Sequence, residues 1–164
     1  MPITHLEIET VLSLLAATPQ RLAALSAGIE NTRLHARVGE EAWSSNDILA
    51  HLRACTDVWT KSMAAMLSQD HPTLRYVSPR TWIHKTNYRE QPFHESLQVF
   101  IAQRAALLEK LQPLSLESWA RGATFTGTTQ GKNHNVYTYA NRMAQHENGH
   151  CEQIAALLNN QRDL

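Results

Sequence analysis

The chain has 164 residues, of which 43% are hydrophobic, and its 15 basic and 15 acidic side chains give a formal net charge of zero. Residues 1–164 are predicted to form one domain, because this length can bury a substantial core. A neutral chain exerts no long-range attraction on nucleic acid or anionic membranes, and no apolar run approaches the length of a membrane span. Two cysteines and no signal-like N-terminus predict a cytoplasmic protein without a disulfide framework.

The first part of the chain predicts two long amphipathic helices. Thr4 and Glu7 form a capping-box pattern, and the apolar stripe that follows keeps its phase across Pro19, which favours a kinked helix over a break. Residues 30–42 are polar and aperiodic, so they predict a connector. Ser44 is the expected N-cap of the second helix. Its apolar stripe comprises Ile48, Leu52, Cys55, Trp59, Met63 and Met66.

A long irregular loop is predicted between the second and third helices. Residues 68–91 contain turn-forming residues and show no helical period, yet they also contain aromatic side chains. A loop of this length in a compact domain is usually functional or mobile. We therefore expect Trp82 and Tyr88 to line a pocket. The third helix is predicted to begin at Pro92 and to end before Pro113.

The last helix is predicted from about residue 135 to 159, after a loop at 121–134 with a small hairpin at residues 125–128. Its stripe comprises Val136, Tyr139, Ala140, Met143, His146, His150, Ile154 and Leu157. Four long amphipathic segments in one domain indicate an all-α, four-helix bundle.

Three histidines are the candidate metal ligands. His146 and His150 are four residues apart, so both imidazoles lie on one face of the last helix. His51 lies beside the apolar stripe of the second helix. Two core histidines bonded to neighbours are the alternative, but a buried imidazole without a partner costs roughly 1–3 kcal/mol. We therefore predict that the three histidines bind one ion.

Three imidazoles with an open fourth position are typical of catalytic zinc sites, and the same ligands suit other metals. The expected cofactor is a divalent metal ion, with zinc or nickel favoured and iron, manganese or copper as alternatives. The bound ion would activate a water or thiol for attack on a small-molecule substrate.

The segment from His146 to His150 also matches the His-Glu-x-x-His pattern of zinc proteases, in which Glu147 would be the general base. A protease needs a third ligand downstream, but no histidine follows and Glu152 is too close along the helix. Glu147 is therefore expected to be a partner of the metal ligands or an exposed side chain. Cys55 is a further candidate ligand, although packing as a small apolar residue is favoured.

The motifs at residues 43–44, 48–52, 143–150 and 153–154, together with the kinked first helix, resemble those of the DinB-like family over nearly the whole chain. The resemblance implies a four-helix bundle with up-down-down-up connections, often homodimeric. It also implies a divalent metal held by His51, His146 and His150. Characterised members include enzymes that use low-molecular-weight thiols for S-transfer, conjugation or isomerisation.

Two further functions stay open at this stage. The sequence contains no convincing acid, base or nucleophile apart from the ligands, which is compatible with a non-catalytic metal-binding or stress-response protein. A metal-free helical interaction module is the third hypothesis, and it predicts no open pocket beside the histidines.

Overall fold

The computed structural model describes residues 2–129 and 131–162. Four long helices dominate the described residues, and none is both long and apolar enough to cross a membrane. The long helices are α1 (His5–Ser26), α3 (Ser45–Ser68), α5 (Phe93–Leu111) and α7 (Val136–Asn160). Single helical turns form α2 (Asn31–Leu34), α4 (Pro79–Trp82) and α6 (Leu116–Trp119). The prediction of a mainly helical bundle is therefore confirmed.

Capping boxes open three of the long helices. Thr4 caps α1, Ser44 caps α3 and Asn135 caps α7. In each box the cap side chain accepts the third backbone N–H of the helix, and the side chain at that third position accepts the backbone N–H of the cap residue. The box at Thr4 and the N-cap at Ser44 were predicted and are confirmed. Helix α1 continues through Pro19, as the unbroken apolar phase indicated.

The four long helices enclose two apolar clusters. Helices α1 and α3 each pack against both α5 and α7. Along α7, Ala144 belongs to one cluster and Cys151 to the other. His146, Glu147 and His150 lie between them in the chain, so the clusters are separated by a polar layer. We use this name for His51, Arg104, His146, Glu147 and His150, and the candidate site lies in this layer.

The segment predicted as a long irregular loop contains short regular elements. Strand β1 (Thr73–Arg75) and α4 are followed by two 3-10 helices, Ile83–Lys85 and Tyr88–Glu90. Ile83 is buried against Ala50 and Ala54, so the segment packs along α3. The small side chains of Ala50 and Ala54 permit the segment to approach α3 closely. The apolar periodicity of α3 does not indicate that a loop packs there.

A small sheet joins two segments that are distant in the sequence. Strand β2 (Gly122–Thr126) pairs antiparallel with β3 (Asn133–Asn135), so the predicted loop does contain a hairpin. Its position differs from the predicted one at 125–128, because Phe125 and Thr126 belong to β2. Strand β2 also pairs parallel with β1, a contact that the sequence did not indicate. Gly122 suits this sheet, because a Cβ at that position would lie 2.7 Å from the carbonyl oxygen of His134.

Candidate metal centre

Helices α3 and α7 bring His51, His146 and His150 together. The Nε2 atom of His146 lies 3.1 Å from Nε2 of His51 and 3.1 Å from Nε2 of His150. His51 lies 95 residues before His146 in the chain, yet its Nε2 atom meets the Nε2 atoms of α7. The chain therefore contains a cluster of imidazole nitrogens at the junction of its two apolar clusters.

The spacing of these nitrogens fits a shared metal ion. Zinc–nitrogen bonds of about 2.0–2.1 Å in a tetrahedral arrangement place two ligand nitrogens about 3.3 Å apart. The two distances of 3.1 Å are close to this value. Direct hydrogen bonding explains them less well, because Nε2 of His146 faces two other nitrogens and offers only one proton or one lone pair.

Burial keeps these imidazoles neutral, which is the form that binds metals. Burial lowers the pKa of His51 to about 4, and electrostatic coupling with the neighbouring His150, Arg80 and Arg89 adds to this effect. Burial also lowers the pKa of His146 to about 3, with neighbouring His150 and His51 adding to the shift. The pKa of His150 is lowered mainly by burial.

The orientation of His150 is fixed by a partner on the same helix. Its Nδ1 lies 2.9 Å from Oε1 of Gln153, so Nδ1–H donates to that oxygen and Nε2 presents its lone pair to the cluster. His150 and Gln153 are three residues apart on α7, a spacing that permits this contact, but the sequence analysis did not identify it. Nδ1 of His146, by contrast, is buried without a hydrogen-bond partner among the described residues.

Two tryptophans border the cluster. The Trp43 ring lies 5.1 Å from the His51 ring and is stacked with the His150 ring at 6.3 Å. The Trp59 ring lies 5.2 Å from the His146 ring, edge to face. Sequence analysis assigned Trp59 to the apolar stripe, and its burial agrees with that assignment. These rings limit the directions from which solvent reaches the histidines.

Cys55 lies at the edge of the cluster. Its Sγ atom is 3.6 Å from Nε2 of His51, and one donor atom from each of His51, Cys55 and His146 lies within 4.8 Å of the others. The side chain is buried in the apolar core, and burial raises the pKa of the thiol. The geometry permits Cys55 to be a ligand, while its surroundings favour the neutral thiol.

Glu147 is neither exposed nor bonded to the histidines. It is fully buried, and its two carboxylate oxygens accept hydrogen bonds of 2.7 and 2.5 Å from Arg104 on α5. Arg104 also donates to the backbone oxygen of Leu15 on α1. Glu147 is therefore bonded to a buried cation from α5, and both alternatives considered for it from the sequence need this correction.

Trp82 and Tyr88 anchor the segment before α5 to α3. Nε1 of Trp82 and Oη of Tyr88 donate to the same Oδ2 atom of Asp57, at 3.0 and 2.6 Å. Neither ring has a described contact with the histidine rings. Trp82 lines a cavity of 310 Å³ between α3 and β1, whereas Tyr88 lines neither described cavity.

The cavity beside Trp82 continues the face of α3 that carries the histidine. His51, Cys55, Val58 and Ser62 follow at helical spacings of four, three and four residues, and the last two line the cavity. A larger cavity of 370 Å³ lies between α3 and α5, on another face of α3. None of the three histidines lines either described cavity.

The lowered histidine pKa values predict that the metal-free protein loses stability on mild acidification. An unfolded histidine has an ordinary pKa near 6.5, so between pH 6.5 and about 4 the unfolded state binds more protons than the folded state. Stability contributed by the neutral histidines is therefore complete above pH 6.5 and is lost as the pH falls through this window. Urea unfolding in the presence of a chelator should show a loss of about 2–4 kcal/mol from pH 7 to pH 5.

The matched control is a variant with both His51→Gln and His146→Gln. Carboxylates titrate mostly below this pH range, so the control should show a much shallower pH dependence. An identical slope in the variant and the wild type would contradict the assignment of the effect to these histidines.

Comparisons with known proteins agree with this architecture. The sequence model of the DinB superfamily matches residues 14–154. The fold is similar to that of YfiT from Bacillus subtilis, with a TM-score of 0.83 and 14% sequence identity over 97% of this chain and 90% of that one. YfiT is described as a probable metal-dependent hydrolase with an unusual four-helix bundle topology. A comparison with curated protein sequences gives no significant match. Because the family model spans most of the sequence, this protein belongs to the DinB superfamily.

Proposed function

We propose that this protein is a metal-dependent enzyme in which His51, His146 and His150 hold one divalent ion. The observation that carries the proposal is the convergence of the three Nε2 atoms, with both measured distances at 3.1 Å. Burial of the rings in their neutral form supports it. Zinc or nickel suits an all-imidazole set best, and the same ligands are compatible with iron, manganese or copper.

Two reaction classes follow from the proposed centre. A divalent ion with an open position supplies Lewis acidity, which lowers the pKa of a coordinated water or thiol. Attack by water would be hydrolysis, the activity suggested for YfiT. Attack by a low-molecular-weight thiol would be S-transfer or isomerisation, as the family resemblance implies. The chain's contribution is to orient the ligands, with Gln153 fixing His150, and to exclude water with Trp43 and Trp59.

A non-catalytic metal-binding protein is the second candidate. The observation that favours it is the engagement of Glu147 by Arg104, which leaves the carboxylate nearest to His146 in the sequence unable to act as a general base. In that case the ion would contribute to stability or sensing, and it would have no open coordination position for a substrate.

Cobalt substitution tests the proposal. Protein purified without a nickel column and stripped with chelator should bind about one equivalent of Co²⁺, with a visible absorption spectrum of low coordination number. Addition of a small thiol should then change that spectrum, because an open position accepts the sulfur. A Co²⁺ spectrum that no thiol alters would favour the non-catalytic protein. Failure to bind Co²⁺, Zn²⁺ or Ni²⁺ would contradict both candidates.

We also propose the up-down-down-up helix order that the family resemblance implies. Contacts of Arg21 with Asn148 and of Arg33 with the Leu158 carbonyl support a common direction for α1 and α7. The contact of His94 with the Ile29 carbonyl supports the opposite direction for α5. A single domain over residues 1–164, a homodimer and a cytoplasmic location stay predictions.

A further inference from the structure

The cavity of 310 Å³ between α3 and β1 is a second place where a small molecule fits, and we call it the Trp82 cavity. One wall is a face of α3, on which Val58, Ser62 and Ala65 follow at spacings of four and three residues. The opposite wall comprises Leu74 of β1 and Trp82 of α4. Small-molecule sites usually have volumes of roughly 300–1,000 Å³ and mainly apolar walls, so the Trp82 cavity has the size of a site for one small molecule.

Both walls of the Trp82 cavity are held by hydrogen bonds within the protein. Nε1 of Trp82 donates to Oδ2 of Asp57 on α3, at 3.0 Å. On the other side β1 pairs with β2, and the backbone N–H of Tyr76 donates to the carbonyl oxygen of Thr126 at 2.9 Å. The cavity is therefore preformed, and a ligand would not have to order its walls.

Two cations line the Trp82 cavity without an anionic partner. Lys61 on α3 and Arg75 on β1 are exposed lining residues, and neither has an ion pair among the residues that the structure describes. Among the described lining residues, only Asp57 is acidic. The lining thus carries two positive charges against one negative charge.

The carboxylate of Asp57 is already engaged. Its Oδ2 atom accepts hydrogen bonds from Nε1 of Trp82 and from Oη of Tyr88, at 3.0 and 2.6 Å. The guanidinium of Arg53, which does not line the cavity, lies 3.8 Å from the centre of the Tyr88 ring, so a buried cation stands close behind this carboxylate. The positive charges of Lys61 and Arg75 therefore dominate the open side of the cavity.

We propose that the Trp82 cavity binds a small amphipathic organic anion, with its apolar body against the walls and a carboxylate or similar group at Lys61 and Arg75. This site is separate from the proposed metal centre, because none of the three histidines lines it. Arg75 gives the anionic group a direction, since guanidinium binds carboxylate through two parallel hydrogen bonds, whereas Lys61 acts as a point charge. Burial of the apolar body supplies most of the affinity, and the cations select the charge.

Three probes with the same aromatic body test the charge preference: 3-phenylpropionate, 3-phenyl-1-propanol and 3-phenylpropylamine. Backbone amide NMR shifts of the ¹⁵N-labelled protein report the binding of each probe. 3-Phenylpropionate should bind with a dissociation constant of about 1 mM or lower, the alcohol more weakly and the amine most weakly. No binding of the anion, or equal affinity for the anion and the amine, would overturn the proposal.

Charge variants test which cavity holds the probe. Of the two described cavities, Arg75 lines only the Trp82 cavity and Lys110 lines only the larger one between α3 and α5. Arg75→Gln should weaken 3-phenylpropionate by about threefold to tenfold and change the alcohol by less than about twofold, and Arg75→Lys should recover part of the loss. Lys110→Gln should leave both affinities unchanged. Equal losses for the anion and the alcohol in Arg75→Gln, or a loss in Lys110→Gln instead, would contradict the proposed site.

Filling the cavity is a second test that does not depend on charge. Ala65 lines the Trp82 cavity, whereas its neighbour Ala64 lines the larger one. Ala65→Leu should weaken the anion and the alcohol by about tenfold or more, because the added side chain occupies their space, and Ala64→Leu should not. Unchanged binding in Ala65→Leu would overturn the proposal.

The variant His146→Ala separates this site from the metal centre. It should bind 3-phenylpropionate as the wild type does, because His146 does not line the Trp82 cavity. Loss of binding in His146→Ala would place the carboxylate at the histidines and overturn this inference, while supporting the metal centre. Failure of the protein to bind metal would leave the expected binding of all three probes unchanged.

Discussion

Replacement of His146 with alanine is expected to abolish tight metal binding. Its Nε2 atom is the one that lies 3.1 Å from both other histidine nitrogens, so its loss leaves two imidazoles with no common neighbour. Loss of an outer-shell partner costs 10–100-fold in metal affinity, and loss of a direct ligand should exceed about 100-fold. Competition with a chromophoric chelator measures the affinity, and elemental analysis after gel filtration measures the retained ion.

Two matched variants make this experiment specific. His84→Ala removes an exposed histidine of the 3-10 helix Ile83–Lys85 and should leave metal content unchanged. Cys55→Ala removes the sulfur 3.6 Å from His51 and should also retain the ion if three histidines suffice. Loss of metal in Cys55→Ala would replace the three-histidine centre with one that includes the thiolate. Retention of full affinity in His146→Ala would contradict the centre altogether.

The long helices could be predicted because their signals are local. Apolar residues at helical spacing and cap residues such as Ser44 are properties of one short stretch of sequence, and the structure begins α3 at the next residue. The pairing of β1 with β2 joins residues 73–75 to residues 124–126. No local sequence pattern indicates such a contact. The strands are also too short for an alternation of apolar and polar residues to identify them.

The arrangement of α7 shows the same limit within the candidate site. The sequence placed His146 and His150 on the apolar stripe, whereas the residues buried most completely in this region are Glu147 and Cys151. Between Met143 and Ile154 the buried positions are therefore displaced by one residue, and Glu147 is buried there with its partner Arg104 from a different helix. A charged residue reads as exposed unless its partner is known, so the polar layer could not be recognised from one helix alone.

That displacement has a consequence for the histidines. With Glu147 bonded to Arg104 of α5, the neighbouring His146 faces His51 of α3 and the Trp59 ring. The buried ion pair and the proposed metal centre thus lie about 100° apart around α7 within the polar layer.

Removal of one partner of the Arg104–Glu147 pair is expected to destabilise the fold by about 3–5 kcal/mol, because it leaves a buried charge without compensation. Both side chains are almost completely inaccessible to solvent, at 1% and 0% exposure. Arg104→Met and Glu147→Leu should each lower the midpoint of urea unfolding. The double variant should recover most of the loss, since two apolar residues of similar volume leave no unpaired charge.

Arg37→Met is the matched control for this prediction. Arg37 pairs with Asp47 at 2.8 Å, but the Arg37 side chain is 48% exposed. Asp47 is 4% exposed, yet without Arg37 it keeps two donors from Ser44 and the nearby charge of Arg89, so the loss should be about 1 kcal/mol. If the loss in the double variant equals the sum of the two single losses, then Arg104 and Glu147 contribute to stability independently, and the prediction is wrong. If the double variant instead regains stability but binds Co²⁺ more weakly, then the pair orients α7 for the histidines, because burial alone would have been restored.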